Sequence, residues 1–157
     1  MPAEGPLPDD ALLPRDTRRA LPIALLRARE AVMARFRPIL HARDVTEQQW
    51  RVIRVLGEDS PLDTGEVAVR ARLLAPSLTR IVKGLEERRL ILRERDVNDG
   101  RRISLAIAPP GMALIRDLTP QTEAVYTELE HSYGRERIEH LIDVLDGLSM
   151  QWRGTAL

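Results

Sequence analysis

Two short stretches of this 157-residue chain carry side chains suited to holding a polyanion. In the first, Ser77, Thr79, Arg80 and Lys83 fall within one helical pattern. A guanidinium grips two acceptors in parallel bonds, as on the O6 and N7 edge of guanine, and Arg80 is the residue for that task. Thr79 can meet a base or a thymine methyl, while Ser77 and Lys83 suit phosphate. In the second stretch, Asp99-Gly100-Arg101-Arg102 sets two arginines beside a tight turn. Arginine is drawn to the negative potential of a narrow minor groove, and Asp99 stands where it can brace the turn's arginine.

The charge balance supports part of this. The chain is neutral by formula, yet residues 70–102 hold 10 basic and 5 acidic residues, against 10 and 11 before them and 4 and 8 after them. Such a basic island is either a phosphate-binding face or a solvated surface, and charge alone leaves both readings open.

Other chemistry is poorly served. With no cysteine, disulfides, thiolate metal sites and cysteine nucleophiles are excluded. The three histidines, His41, His131 and His140, have no metal-ligand spacing, and there is no nucleophile elbow or phosphate loop, so neither an enzyme nor a metal or cofactor site is expected. His131 and His140 sit among acids and read as surface. No apolar run nears the roughly 20 residues that span a bilayer, and acids and prolines occupy the N-terminus where a signal peptide needs positive charge. The expected location is cytoplasmic, with no membrane partner.

The elements that must position these residues follow from periodicity. Residues 1–17, with Pro2, Pro6, Pro8 and Pro14, read as a flexible arm ahead of one domain over 18–157. From Arg18 to Leu40, Leu21, Leu25, Ala28, Val32, Phe36 and Leu40 mark one helical face, with Pro22 in its first turn. Thr46-Glu47-Gln48-Gln49 has the form of a capping box, opening a second helix to Glu58 that Ser60-Pro61 ends. Asp63 to Glu66 caps a brief third helix on Val67, Ala68 and Ala71. Ala75 is a poor cap, so the fourth helix leans on Pro76 and runs to Leu90.

On a wheel of that fourth helix, Leu78, Ile81, Val82, Leu85 and Arg89 centre at about 90° and form the buried stripe. Pro76, Thr79, Arg80, Lys83 and Glu87 lie on the far side, between about 200° and 300°. Ile91–Arg95 and Ile103–Ile107, joined by turn residues, read as a hairpin with a charged tip. From Pro110 helical spacing returns through Leu114, Leu118, Val125, Leu129 and Tyr133, with a break at Gly134. A last helix carries Ile138, Leu141, Ile142, Leu145 and Leu148. The expected fold is mainly α with a small β-hairpin wing, a winged helix-turn-helix with helices on either side. A winged helix also serves complexes that never touch DNA, so a protein-interaction module is the rival reading.

The runs from Pro61 to Ala68 (PLDTGEVA), Ala75 to Ile91 (APSLTRIVKGLEERRLI) and Asp96 to Arg102 (DVNDGRR) together resemble the MarR family of bacterial transcription regulators. The resemblance implies a homodimer in which each subunit sets one recognition helix into half of a palindromic operator on double-stranded DNA. Residues 46–108 would be the DNA-binding lobe, and 18–45 and 109–157 the helical dimerisation region. By the motif, Arg101 is similar to the minor-groove arginine and Asp99 to its brace. The chain departs from the pattern where Ile107-Ala108-Pro109-Pro110 replaces a Leu-Thr pair, which weakens the cap on the next helix. Without cysteine it also falls outside the thiol-based peroxide-sensing branch.

Leu21 to Ala31 (LPIALLRAREA), Phe36-Arg37-Pro38 and Thr46 to Val52 (TEQQWRV) resemble the branch regulating homoprotocatechuate, or 4-hydroxyphenylacetate, degradation. That resemblance implies repression relieved by a small aromatic acid. Such an effector needs a cation for its carboxylate and an apolar slot for its ring. Arg27, His41, Trp50 and Arg51 are the candidates, set against the plainer readings of Trp50 as core and the others as solvated surface.

Overall fold

The computed structural model describes residues 16–95 and 97–153. The arm expected over residues 1–17 therefore lies outside the described residues, Asp16 and Thr17 excepted. Two compact units divide the chain between Arg35 and Phe36.

In the first unit, the Asp16 carboxylate accepts the Arg18 backbone N–H at 2.9 Å, which caps a single 3-10 turn, Thr17–Arg19. The α-helix α1 (Leu21–His41) begins after that turn, three residues later than its periodicity suggested, and keeps Pro22 in its first turn. Leu21, Leu25 and Val32 of the expected stripe are exposed, as are Ile23 and Leu26.

The second unit takes up the end of α1, where Phe36 and Leu40 are buried. Asp44 turns the chain in a left-handed conformation (φ 52°). Thr46 then caps α2 (Glu47–Glu58) reciprocally: its hydroxyl accepts the Gln49 N–H at 3.1 Å, and the Gln49 side chain accepts the Thr46 N–H at 3.0 Å. Val52, Ile53, Val55 and Leu56 face inward. A two-residue strand, β1 (Leu62–Asp63), precedes α3 (Thr64–Ala71), whose N-cap Asp63 accepts the Glu66 N–H at 2.8 Å. Arg72, left-handed at φ 55°, ends α3 and leads to α4 (Ala75–Glu87).

The α4 stripe of Leu78, Ile81, Val82 and Leu85 is buried as expected, but Arg89 is not part of it. The helix stops at Glu87; Arg88 is its C-cap, and Arg89 takes a left-handed φ of 59°, which turns its side chain outward and returns Leu90 to the core. The start also differs by one residue. Ala75 is already helical, and Leu74 is the N-cap with no side-chain hydrogen bond to offer.

Strands β2 (Ile91–Arg95) and β3 (Ile103–Ile107) pair antiparallel, with Ile91 opposite Ile107 and Arg95 opposite Ile103. Strand β1 adds to the other edge of β3, so the hairpin expected from sequence is a three-stranded sheet in the order β1-β3-β2. The Ala108 N–H closes on the Leu90 carbonyl at 3.0 Å, and α5 (Pro109–Tyr133) leaves that corner. Ala108 offers no side-chain cap, in line with the missing Leu-Thr pair, and the two prolines fill the first turn. Gly111 is required there, because a Cβ would collide with the Leu90 carbonyl oxygen and stand 2.7 Å from Ile107 Cδ1. Gly134, at φ 98°, ends α5 and admits α6 (Arg135–Arg153).

Leu40, Ile53, Leu56, Leu85, Ile91, Leu105 and Leu118 are fully covered. Each contributes about 1.5–3 kcal/mol relative to exposure, and together they fix which face of α4 points out. Among the described residues no helix is long and apolar enough to cross a membrane.

Candidate nucleic-acid interface

With its stripe buried, α4 presents Pro76, Thr79, Arg80, Lys83 and Glu87 to solvent, the set expected from the wheel. Ser77 is half-buried. The Thr79 hydroxyl donates to the Ala75 carbonyl at 3.1 Å, a bond within the helix. What Thr79 offers outward is its methyl group and acceptor lone pairs.

The structure sorts the cations of the basic island by what they already hold. Arg70 pairs with Asp59 at 3.1 Å. Arg93 of β2 meets Glu86 of α4, its Nε 3.2 Å from both carboxylate oxygens. Arg88 donates to two backbone carbonyls, of Asp44 at 2.6 Å and Arg43 at 3.1 Å. Arg80, Lys83, Arg101 and Arg102 are exposed and make no ion pair among the described residues. The first three arginines serve the fold; the other four cations remain available to a phosphate or a base edge, as do Arg72, Arg89 and Arg95, exposed and likewise without an ion pair among the described residues.

At the hairpin tip Asp99 braces, but through the backbone. Its carboxylate accepts the Arg101 N–H at 3.1 Å, and its carbonyl accepts the Arg102 N–H at 2.9 Å. The tip's shape is thus set by Asp99, while both guanidinium groups project from it.

The four residues nominated for an effector do not share a site in the second unit. Arg27 belongs to the first unit, where it donates to the Arg18 carbonyl at 3.3 Å. His41 is exposed at the end of α1. Trp50 is half-buried against the core, with the Arg54 guanidinium 6.0 Å from its ring centroid. Arg51 donates to the Arg72 carbonyl at 3.3 Å and so ties α2 to the end of α3.

A cavity of about 340 Å³ between α3, α4 and the sheet is lined in part by Ala68, Leu78, Thr79 and Arg93. Another, of about 320 Å³, lies at the α5–α6 corner beside Tyr133, Arg137 and His140. None of Arg27, His41, Trp50 or Arg51 lines either.

Sequence reasoning missed the polar links Arg88 to the α1–α2 turn, Glu86 to Arg93, and Arg43 to Asp117 of α5 at 2.6 Å. The Asp117 carboxylate, by hydrogen bond first and charge second, holds the Arg43 guanidinium above its ordinary range. Partners 45 or 74 residues apart leave no local signal, since only neighbours at helical or strand spacing announce themselves.

Comparison with known proteins agrees with this architecture. Residues 43–102 match the MarR family. The homoprotocatechuate degradative operon repressor of Escherichia coli is 39% identical over 127 residues, which is 81% of this chain and 86% of that one. The HTH-type transcriptional regulator FarR of Neisseria gonorrhoeae is 40% identical over 127 residues, 81% and 87% of the two chains. The crystal structure of NadR in complex with 4-hydroxyphenylacetate superposes with a TM-score of 0.75 at 39% identity, over 87% of this chain and 97% of that one.

Proposed function

Because the chain belongs to the MarR family, we propose that it is a homodimeric repressor of an aromatic-acid catabolic operon, released from a palindromic operator by a small aromatic carboxylate. As a MarR-type DNA-binding transcription regulator it is not an enzyme, and it works in the cytoplasm, where the operator lies.

One observation carries the DNA reading. The outward face of α4 and the wing tip together carry Arg80, Lys83, Arg101 and Arg102, exposed and without an ion pair among the described residues, as are Arg72, Arg89 and Arg95 of the same basic island. On DNA, α4 lies in the major groove with Arg80 on a guanine edge and Thr79 against a thymine methyl. Ser77 and Lys83 hold phosphates that set the helix in register. The wing reaches the adjacent minor groove with Arg101, Asp99 keeping the tip in shape, and Arg102 adds charge beside it.

The effector is of the class of 4-hydroxyphenylacetate or homoprotocatechuate. This is supported by the similarity to the operon repressor and to NadR, whose structure holds 4-hydroxyphenylacetate. Within the second unit His41 is the proposed carboxylate partner and Trp50 the ring's neighbour, and Arg27 is proposed by itself as a cation for an acid of this class. Arg51, engaged with the Arg72 carbonyl, would act by holding α2.

The test is a gel shift on the promoter DNA beside the gene, run at several salt concentrations with and without 4-hydroxyphenylacetate. A shift that weakens steeply with salt and is reversed by the acid is the expected result. No shift at low salt would defeat the regulator reading. A shift indifferent to the acid would defeat the effector assignment alone.

A further inference from the structure

The recognition helix is held differently at its two ends. At the reading end, Leu74 caps α4 without a side-chain bond, and Leu74, Ala75 and Pro76 are exposed. The apolar stripe beneath holds the helix down, but hydrophobic contact is non-directional and says little about how far α4 is slid or turned. The opposite end is held by directional bonds. Glu86 receives the guanidinium of Arg93 from β2, at 3.0 Å for the nearest Nη. One residue past the helix, Arg88 spreads its planar fork over two successive carbonyls, Asp44 at 2.6 Å and Arg43 at 3.1 Å.

Those carbonyls belong to the turn after α1, which the Val45 N–H closes on the Leu40 carbonyl at 3.1 Å. The same turn reaches the other way. Arg43 gives its carbonyl to Arg88 and its Nε to Asp117 Oδ2 of α5, at 2.6 Å. A single residue thus joins the end of α4 to α5.

We propose that Arg88 is a positioning residue for operator binding, locking α4 onto the α1–α2 turn and, through Arg43 and Asp117, onto α5. The inference rests on α4 being the DNA-reading helix. Arg88 itself touches no DNA. The pair of Arg43 and Asp117 is half-exposed, with side-chain exposures of 43% and 50%, and exposed pairs add little to global stability. Its loss should therefore appear in affinity while the melting temperature hardly moves.

The experiment measures fluorescence anisotropy of the full chain on the promoter fragment that the unaltered protein shifts, across a salt series, alongside thermal melts. Arg88→Gln should weaken binding about tenfold, the worth of one charged hydrogen bond, with the salt slope unchanged because no phosphate contact is lost. Arg88→Lys should restore only part of it, since an ammonium lacks the fork. Asp117→Asn should cost about threefold, and the double variant should bind no more weakly than Arg88→Gln alone, as members of one chain do.

Unchanged affinity in Arg88→Gln overturns the proposal, and so does a salt slope reduced by about one, which marks a phosphate contact. Additive losses in the double variant overturn the link to α5. If Arg88→Gln fails to fold, Asp117→Asn on the exposed face of α5 decides: wild-type affinity there sinks the link. Failure of the unaltered protein to bind any fragment is a different result, which removes the DNA reading and this inference with it.

Discussion

Arg80 and Arg101 carry the same charge, yet their removal should read differently. Arg101 projects from a tip whose backbone is set by Asp99, so Arg101→Ala should leave the wing's shape intact. Affinity should then fall on all sequences alike, with the salt slope shallower by about one. Arg80→Ala should cost about 1–3 kcal/mol and relax the preference at one base pair, which competition with single-base operator variants would show. If Arg80→Ala changed neither affinity nor preference, the orientation assigned to α4 would be wrong. Asp99 offers a sharper test because two effects oppose. Removing an acid beside DNA should tighten binding by charge alone, whereas losing the acceptor for the Arg101 N–H should loosen the tip. Asp99→Ala is expected to weaken operator binding, and tighter binding would show that Asp99 acts only as a repelling charge. Residue types and spacing were enough to nominate Arg80, Lys83, Arg101 and Arg102. They could not set these apart from Arg70, Arg88 and Arg93, because what distinguishes the latter is a partner distant in sequence or across a turn.

Among the elements, legibility followed capping chemistry. Thr46 and Asp63 announce α2 and α3 because their side chains accept the first free N–H groups of the helix, a local bond between near neighbours. The α4 helix begins one residue before its sequence signal, because Leu74 has no such bond to mark the start. Its end was missed because apolar spacing continues through Leu90 while the backbone turns at Arg89; periodicity records which residues are buried, not whether they are still helical. Strand β1 has two residues, too few to alternate, and is defined by pairing Leu62 with Leu105 and Asp63 with Ser104. The weak cap suggests a change. Leu74 is 77% exposed and already in the extended conformation of an N-cap, so Leu74→Ser removes no packing. Pro76 has no N–H, which leaves the Ser77 N–H to donate to the new hydroxyl. Stability should rise by about 1 kcal/mol in a urea titration, with the slope of the transition unchanged. A loss of stability would mean that Leu74 is covered by something the single chain lacks.

The whole molecule poses a problem that a single chain does not solve. Helix α6 runs 19 residues with Ile138, Leu141, Ile142, Leu145 and Leu148 at helical spacing, yet none of its described side chains is buried. Leu141, Ile142 and Val144 are 44–53% exposed, and Met150 and Trp152 are each 74% exposed. An apolar stripe of that length facing water is costly, and a second copy of the chain is its expected cover. The sequence displayed the stripe but not its exposure, since periodicity reports an apolar face without saying what covers it. Placing charge on the stripe separates pairing from folding. Because α6 gives no residue to the buried core, Leu141→Asp combined with Ile142→Asp should leave the helical circular dichroism and its melting transition in place. Light scattering should then report the chain's own mass of 17.8 kDa at concentrations where the unaltered protein is expected to show twice that value. Each freed chain would hold one half-site, and losing the second, tethered contact should weaken operator binding by at least about 100-fold. A variant that remained a dimer with full affinity would show that the copies pair elsewhere. One that became a monomer yet kept its affinity would show that a single recognition helix and wing suffice.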